Sequence, residues 1–128
     1  MKQPDACPCG SGRRYAACCR PLHAGEKPAA SAEALMRSRY GAYVLRLGDY
    51  LLATWHASTR PSELDLEADS SKWLGLDVRR YQLLDERHAT VEFLARYRIA
   101  GRGHRLHELS RFVCEEGCWY YVDGDMLA

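Results

Sequence analysis

Four cysteines fall within thirteen residues: Cys7-Pro8-Cys9, eight intervening residues, then Cys18-Cys19. Thiolates are soft ligands, and zinc takes four of them in a tetrahedron. Gly10, Ser11 and Gly12 permit the tight backbone that would fold the two pairs back onto each other. Pro8 stiffens the first pair. Four thiolates around one zinc ion keep a net negative charge, which Arg13, Arg14 and Arg20 stand ready to offset. A set of Cys7, Cys9, Cys18 and Cys19 leaves no open coordination position, so the expected zinc is structural and not catalytic.

Two other chemistries compete for these thiols. A bridge between adjacent Cys18 and Cys19 would be strained. Cross-pairs such as Cys7–Cys18 belong to oxidising compartments. The stretch Met1-Lys2-Gln3-Pro4-Asp5 leads into the cysteines with no apolar run, so no signal peptide is expected and the reading is cytoplasmic. A redox dithiol usually reads C-x-x-C, whereas this spacing is C-x-C. Disulfides and free thiols stay open as alternatives, and the ligand count favours zinc.

The elements that must position this cluster follow from composition. The chain has 128 residues, 47% hydrophobic and 27% charged, with a formal charge of +1. That is enough for one ordinary domain and gives no global reason to bind nucleic acid or membrane. No apolar run is long enough to span a bilayer. Residues 1–28 hold most of the prolines, almost no aliphatic side chains, and five basic residues against two acidic ones. Such a segment cannot bury enough apolar surface to order itself unaided. It needs a staple, and metal binding can supply on the order of 10 kcal/mol of its folding free energy. Residues 29–128 read as a separate globular domain.

In that domain Ser31 is an N-cap, with Glu33 in the first turn. Met36, Tyr40, Tyr43 and Leu47 follow at helical spacing. Gly48 reads as a stop, and Asp49 as the cap of a short helix carrying Tyr50, Leu51, Leu52 and Trp55. Pro61 breaks the chain, and Ser62 should cap a helical stretch to about Ser70. Strand grammar then takes over. Trp73 to Leu84 is one strand, with a bulge hinted by Gly75. Val91, Phe93, Ala95, Tyr97 and Ile99 alternate with polar or outward residues. Gly101-Arg102-Gly103 is a turn, a strand follows to Cys114, and Glu115-Glu116-Gly117 is a three-residue loop before the strand Trp119–Val122. Helices first and an antiparallel meander after make an α+β fold, with the helices on one face of the sheet.

Cys7-Pro8-Cys9-Gly10-Ser11-Gly12, with Tyr15 and Cys18-Cys19, closely resembles the SEC-C motif, the zinc-binding element of the SecA tail. The resemblance implies contact with a protein partner such as a SecB-like chaperone, or with the ribosome. Further along, Leu35-Met36-Arg37-Ser38-Arg39-Tyr40, Thr54-Trp55-His56, Trp73-Leu74-Gly75-Leu76, Ser110-Arg111-Phe112 and Gly117-Cys118-Trp119-Tyr120-Tyr121-Val122-Asp123-Gly124 look like the YchJ family. These segments cover nearly the whole chain. The resemblance implies a nuclear transport factor 2-like cone, in which helices close a strongly curved antiparallel sheet. A related cone often pairs into a homodimer through its sheet.

Other proteins with such a fold include isomerases and dehydratases, so acid/base groups in the cone matter. His56 is one candidate general base, and a helix-end histidine is its plainer reading. Glu108 is the other; it shares a strand face with Ser110 and could pair with Arg37 or Arg39 as a helix-to-sheet ion pair. Arg111 and Asp123 could do the same on the opposite face. Tyr40, Tyr43 and Trp55 sit at core spacing and read as packing. Arg96, Arg98, Arg102, His104 and Arg105 cluster around one hairpin, where a solvated edge is the plainer reading than a nucleic-acid contact. Cys114 and Cys118 should face each other across a hairpin as two thiols. No nucleophile–base–orienter set is visible, so an interaction module is favoured over an enzyme.

Overall fold

A computed structural model describes residues 6–64, 66 and 71–127. A 3-10 turn at Tyr15–Ala17 leads into α1 (Arg20–His23), then α2 (Ala32–Leu45) and α3 (Gly48–Ala53). Four strands follow: β1 (Lys72–Leu83), β2 (His88–Ile99), β3 (Arg102–Glu115) and β4 (Cys118–Met126). They form one antiparallel meander in the order β1-β2-β3-β4.

The long helix begins where its chemistry says. Ser31 is extended, and its hydroxyl accepts from the Ala34 N–H at 3.1 Å. This satisfies one of the free donors at the helix start. The stop differs from expectation. Arg46 closes α2 in the left-handed region at φ 61°, and Gly48 opens α3 instead of ending α2. Leu47, not Asp49, is the N-cap of α3. The helical stretch expected from Ser62 is not formed at residues 61–64 and 66, and its remainder lies outside the described residues.

The sheet bends at its irregularities. Register shifts fall between Trp73 and Gly75, between Val78 and Arg80, and between Arg111 and Phe112. Bulges increase local twist and let a sheet curl around a helix. Both tight hairpins are shorter than the sequence suggested. Ala100-Gly101 and Glu116-Gly117 each turn the chain in two residues, both at positive φ. Arg102 and Gly103 already belong to β3, and Glu115 pairs with Cys118.

On β2, Val91, Phe93 and Ala95 alternate onto the buried face. They pack with Leu35, Met36 and Tyr40 of α2 and Phe112 of β3. The other side of α2 is covered too, which explains its small residues there. Ser38 and Ala42 are fully buried, and a side-chain carbon on Gly41 would touch His23 Cε1 at 3.4 Å and Pro8 Cγ at 3.7 Å. The helix is thus wedged between the sheet and the cysteine-bearing segment. Among the described residues no helix is long and apolar enough to cross a membrane.

Candidate functional site

Two places in the fold concentrate chemistry. At the first, the cysteine turn is built by its own backbone. Cys7 N–H donates to the Arg13 carbonyl at 3.0 Å, and Gly10 N–H to the Cys7 carbonyl at 3.2 Å. Gly10 and Gly12 sit at φ 79° and 85°, where a side chain would be strained. Cys18 follows the 3-10 turn, and Pro21 lies in the first turn of α1, where its missing N–H costs nothing. The result brings the Sγ atoms of Cys7, Cys9, Cys18 and Cys19 within 4.8 Å of one another.

Spacing and donor type fit a tetrahedral metal. A zinc–sulfur bond of about 2.3 Å puts sulfurs about 3.8 Å apart around a tetrahedron. Cys9 and Cys18 are 3.6 Å apart, and Cys18 and Cys19 3.8 Å. All six cysteines of the chain are unbridged, so no disulfide competes for these four. Cys7, Cys9 and Cys19 are buried and Cys18 is half-buried. Without a cation the thiols hydrogen-bond to one another. Hydrogen bonding from Cys19 draws the Cys9 thiol well below its ordinary value, whereas that same bond and burial push Cys19 up. Burial raises Cys7 as well. A divalent cation replaces these shared protons. Around the sulfurs, Ser11 Oγ lies 3.1 Å and Arg13 Nη2 3.7 Å from Cys18 Sγ.

The cluster is tied to the cone from below. Arg37 of α2 donates from Nη1 to the Cys9 carbonyl at 3.2 Å and pairs through Nε with Glu33 at 3.2 Å. His23 reaches the Ser38 carbonyl on the same helix. Arg37 is therefore engaged at the cluster, away from Glu108, where the sequence left it as a partner.

At the second place, α2 and the concave face of the sheet line a partly open cavity of about 240 Å³. Glu108 and Ser110 share the inward face of β3, as alternation requires. Glu108 Oε2 accepts from Ser110 Oγ at 2.5 Å and from the Tyr121 hydroxyl at 3.1 Å. Gly124 of β4 makes room for this carboxylate: a side-chain carbon there would lie 2.7 Å from Glu108 Cδ. Arg39 enters from α2 and is 6% exposed. Its Nη1 donates to the Leu51 carbonyl at 2.8 Å and to Thr54 Oγ1 at 2.7 Å. Its guanidinium lies 5.0 Å from the Trp55 ring and 4.7 Å from the Tyr121 ring, a double cation–π contact. Burial lowers the Arg39 pKa, and burial followed by the Glu108 charge raises that of Tyr121. Arg39 thus meets Glu108 through its field, while its hydrogen bonds go to α3.

His56 is elsewhere. Its Nε2 pairs with Glu115 Oε2 at 3.0 Å and its Nδ1 with Ser58 Oγ at 2.7 Å, and it stacks edgewise on Tyr120. Its N–H donates to the Tyr121 carbonyl at 2.7 Å, which fixes the chain after α3 against β4. The lining of the cavity includes Glu108 but not His56, so the two candidates do not form one acid/base pair.

The remaining candidates sort by geometry. Arg111 pairs with Asp123 at 2.6 Å and with Asp125 at 2.8 Å on the exposed face. Tyr40 packs in the core, and it also lines the cavity together with Tyr43 and Trp55. Arg96, Arg98, Arg102, His104 and Arg105 are exposed, with Arg96 opposite Arg105 and His104 stacked on Tyr97. Cys114 pairs with Trp119, and Cys118 with Glu115. Neighbouring positions on a strand face opposite ways, so these two cysteines do not face each other. Sequence reasoning missed His23 and Tyr121. Gly124 in a strand pattern was the one available signal, since an internal strand glycine marks a close approach.

Comparison with known proteins bears on both places. Residues 31–124 match the family described as YchJ, middle NTF2-like domain, and residues 4–21 match the SEC-C motif. A UPF0225 protein of Bordetella parapertussis is 61% identical over 96% of this chain and 94% of its own length. One from Ralstonia nicotianae is 54% identical over 94% of this chain and 91% of its own. The solution structure of a SEC-C motif containing protein from Rhodopseudomonas palustris superposes with a TM-score of 0.86 at 39% identity, covering 95% of this chain and 98% of that one. A crystal structure of a SEC-C motif containing protein from Psychrobacter arcticus gives a TM-score of 0.79 at 31% identity, over 95% and 82% of the two chains.

Proposed function

This chain belongs to the YchJ-like UPF0225 family, with a SEC-C motif ahead of an NTF2-like domain, and on that premise we propose that it is a zinc-stapled interaction module. Cys7, Cys9, Cys18 and Cys19 hold one structural zinc per chain. The observation that carries this reading is the convergence of all four Sγ atoms within 4.8 Å in a segment with almost no apolar core of its own. Zinc there supplies folding free energy and leaves no position for substrate. Reduced thiols at this site suit a cytoplasmic protein.

The stapled element presents Arg13, Arg14 and Arg20 at its surface. Exposed cations on a rigid knob favour an acidic partner surface, either a SecB-like chaperone or the ribosome. The cone beneath is the scaffold that holds the knob in one orientation, through the Arg37 and His23 bonds to the cysteine segment.

Cosedimentation with ribosomes and pull-down with a SecB-like chaperone test the reading on the full chain. The zinc-loaded protein should bind one of the two, more weakly at high salt. Cys9→Ser, or the pair Arg13→Glu and Arg20→Glu, should weaken that binding tenfold or more. Failure of the zinc-loaded protein to bind either partner, or equal binding by Cys9→Ser, would overturn it.

A further inference from the structure

The cone cavity lies apart from the cysteine cluster, and the hydrogen bonds of the fold leave the polar groups of two of its lining residues incomplete. Arg39 spends Nη1 on Leu51 and Thr54. Among the described residues nothing accepts from its Nε or Nη2. Glu108 takes both of its hydrogen bonds on Oε2. No described side chain donates to Oε1. Each of these residues lines the same cavity. Arg39 and Glu108 thus turn unbonded polar edges to one space, and a ligand with matching groups could complete them.

Geometry narrows the occupant. Arg39 is held in place, because its Nη1 is bonded twice and its guanidinium packs against the Trp55 and Tyr121 rings. Its open edge is a fixed fork that matches an oxygen acceptor. Glu108 is equally fixed and offers an acceptor to a donor. Tyr40, Tyr43 and Trp73 form aromatic walls, with Tyr40 and Tyr43 set 5.7 and 5.9 Å from the Trp73 ring. A volume of about 240 Å³ equals roughly eight waters at liquid density. That space admits one ring with a small head group.

Charge balance decides between an ionised and a neutral head. Arg39 and Glu108 together sum to zero. An ionised ligand would bring an uncompensated charge into a buried place, at a large desolvation cost. A neutral head with an acceptor beside a donor meets Arg39 on one side and Glu108 on the other.

We propose that the cavity is a binding site for a small neutral single-ring molecule, aromatic or alicyclic, whose head places a hydrogen-bond acceptor beside a donor, as in a primary amide or a hydroxyl next to a carbonyl. This reading is independent of the zinc-held element and of any partner that element meets.

Benzamide, benzoate and toluene are matched probes for the test. The zinc-loaded full chain carries a nitrogen-15 label, and the indole N–H resonances of Trp55, Trp73 and Trp119 are followed during titration. Benzamide should give a saturable shift at Trp55, with Trp119 unmoved because it lies off the cavity. Benzoate and toluene should bind at least tenfold more weakly. Glu108→Gln should reverse the order and favour benzoate, since Arg39 then lacks its balancing charge. Leu106→Phe, which fills the cavity without touching its polar groups, should abolish the benzamide shift and serves where Glu108→Gln fails to fold. No saturable shift with any probe would mean a cavity that holds water only, and would overturn the proposal. Equal binding of all three probes, or a benzamide shift that survives Leu106→Phe, would overturn it as well.

Discussion

His23 Nε2 lies 2.7 Å from the main-chain oxygen of Ser38, and this contact joins the cysteine segment to the long helix of the cone. A carbonyl only accepts, so the proton sits on Nε2. Nδ1 then accepts from the Tyr15 hydroxyl, also at 2.7 Å. Burial depresses the His23 pKa, which favours this neutral tautomer. The ring also packs edgewise on Tyr50, whose hydroxyl bonds Ser38 Oγ at 2.7 Å. One imidazole thereby ties together Tyr15, α2 and α3.

Replacing it exposes that coupling. His23→Ala should lower stability by about 1–3 kcal/mol, because Tyr15 loses its acceptor and the ring leaves a gap over Gly41. Metal content should stay the same, since no thiol is touched. Denaturant unfolding with metal analysis of the same sample checks both halves. Full stability in the variant would show that the two segments are not mechanically linked here.

Gly124 is the second point of tension. A side-chain carbon would lie 2.7 Å from Glu108 Cδ and 2.9 Å from Cγ. Gly124→Ala should therefore force the buried carboxylate off Ser110 and Tyr121, at a cost of about 1–3 kcal/mol. Urea unfolding reads this directly. A variant as stable as the parent would mean that Glu108 has another place to go.

Cys114 and Cys118 belong to opposite faces of the β3–β4 hairpin, given the pairing of Glu115 with Cys118. Mild oxidation of the folded protein should leave them unlinked within one chain. Peptide mapping without reduction checks this, and a Cys114–Cys118 linked peptide would show that the hairpin slips its register.

These particulars show where the sequence was informative. Ser31, the alternation through Val91, Phe93 and Ala95, and the cysteine spacing each act locally, so their outcome could be read from neighbours in the chain. The two-residue hairpins are hidden in the sequence because Ala100 and Glu116, which are not glycines, adopt positive φ. The end of α2 is hidden for the same reason at Arg46. The polar end of the cavity was illegible. Arg39 is buried only because the C-terminal end of α3 supplies two oxygen acceptors and two aromatic rings from different elements pack against it. His56, whose plainer reading is a helix-end histidine, pairs with Glu115 and Ser58 and does not line that space.

Metal removal should act on one segment first. Chelation under reducing conditions should unfold the cysteine segment while the four-stranded sheet persists, because the cone has its own apolar core. Amide exchange checks this, with protection lost around Cys7–His23 and retained on β2 and β3. Metal uptake should weaken as the pH falls, since the Cys7 and Cys19 thiols must release protons to bind. Simultaneous loss of protection in the sheet would mean that the staple holds the whole fold.

The most direct test of the account is a cobalt titration of the reduced, metal-free full chain, followed by displacement with zinc. One cobalt per chain with the intense absorption of a tetrahedral thiolate site, displaced by one zinc and absent in Cys9→Ser, is the predicted result. Weak octahedral absorption, or saturation unchanged by Cys9→Ser, would contradict a zinc site made of Cys7, Cys9, Cys18 and Cys19.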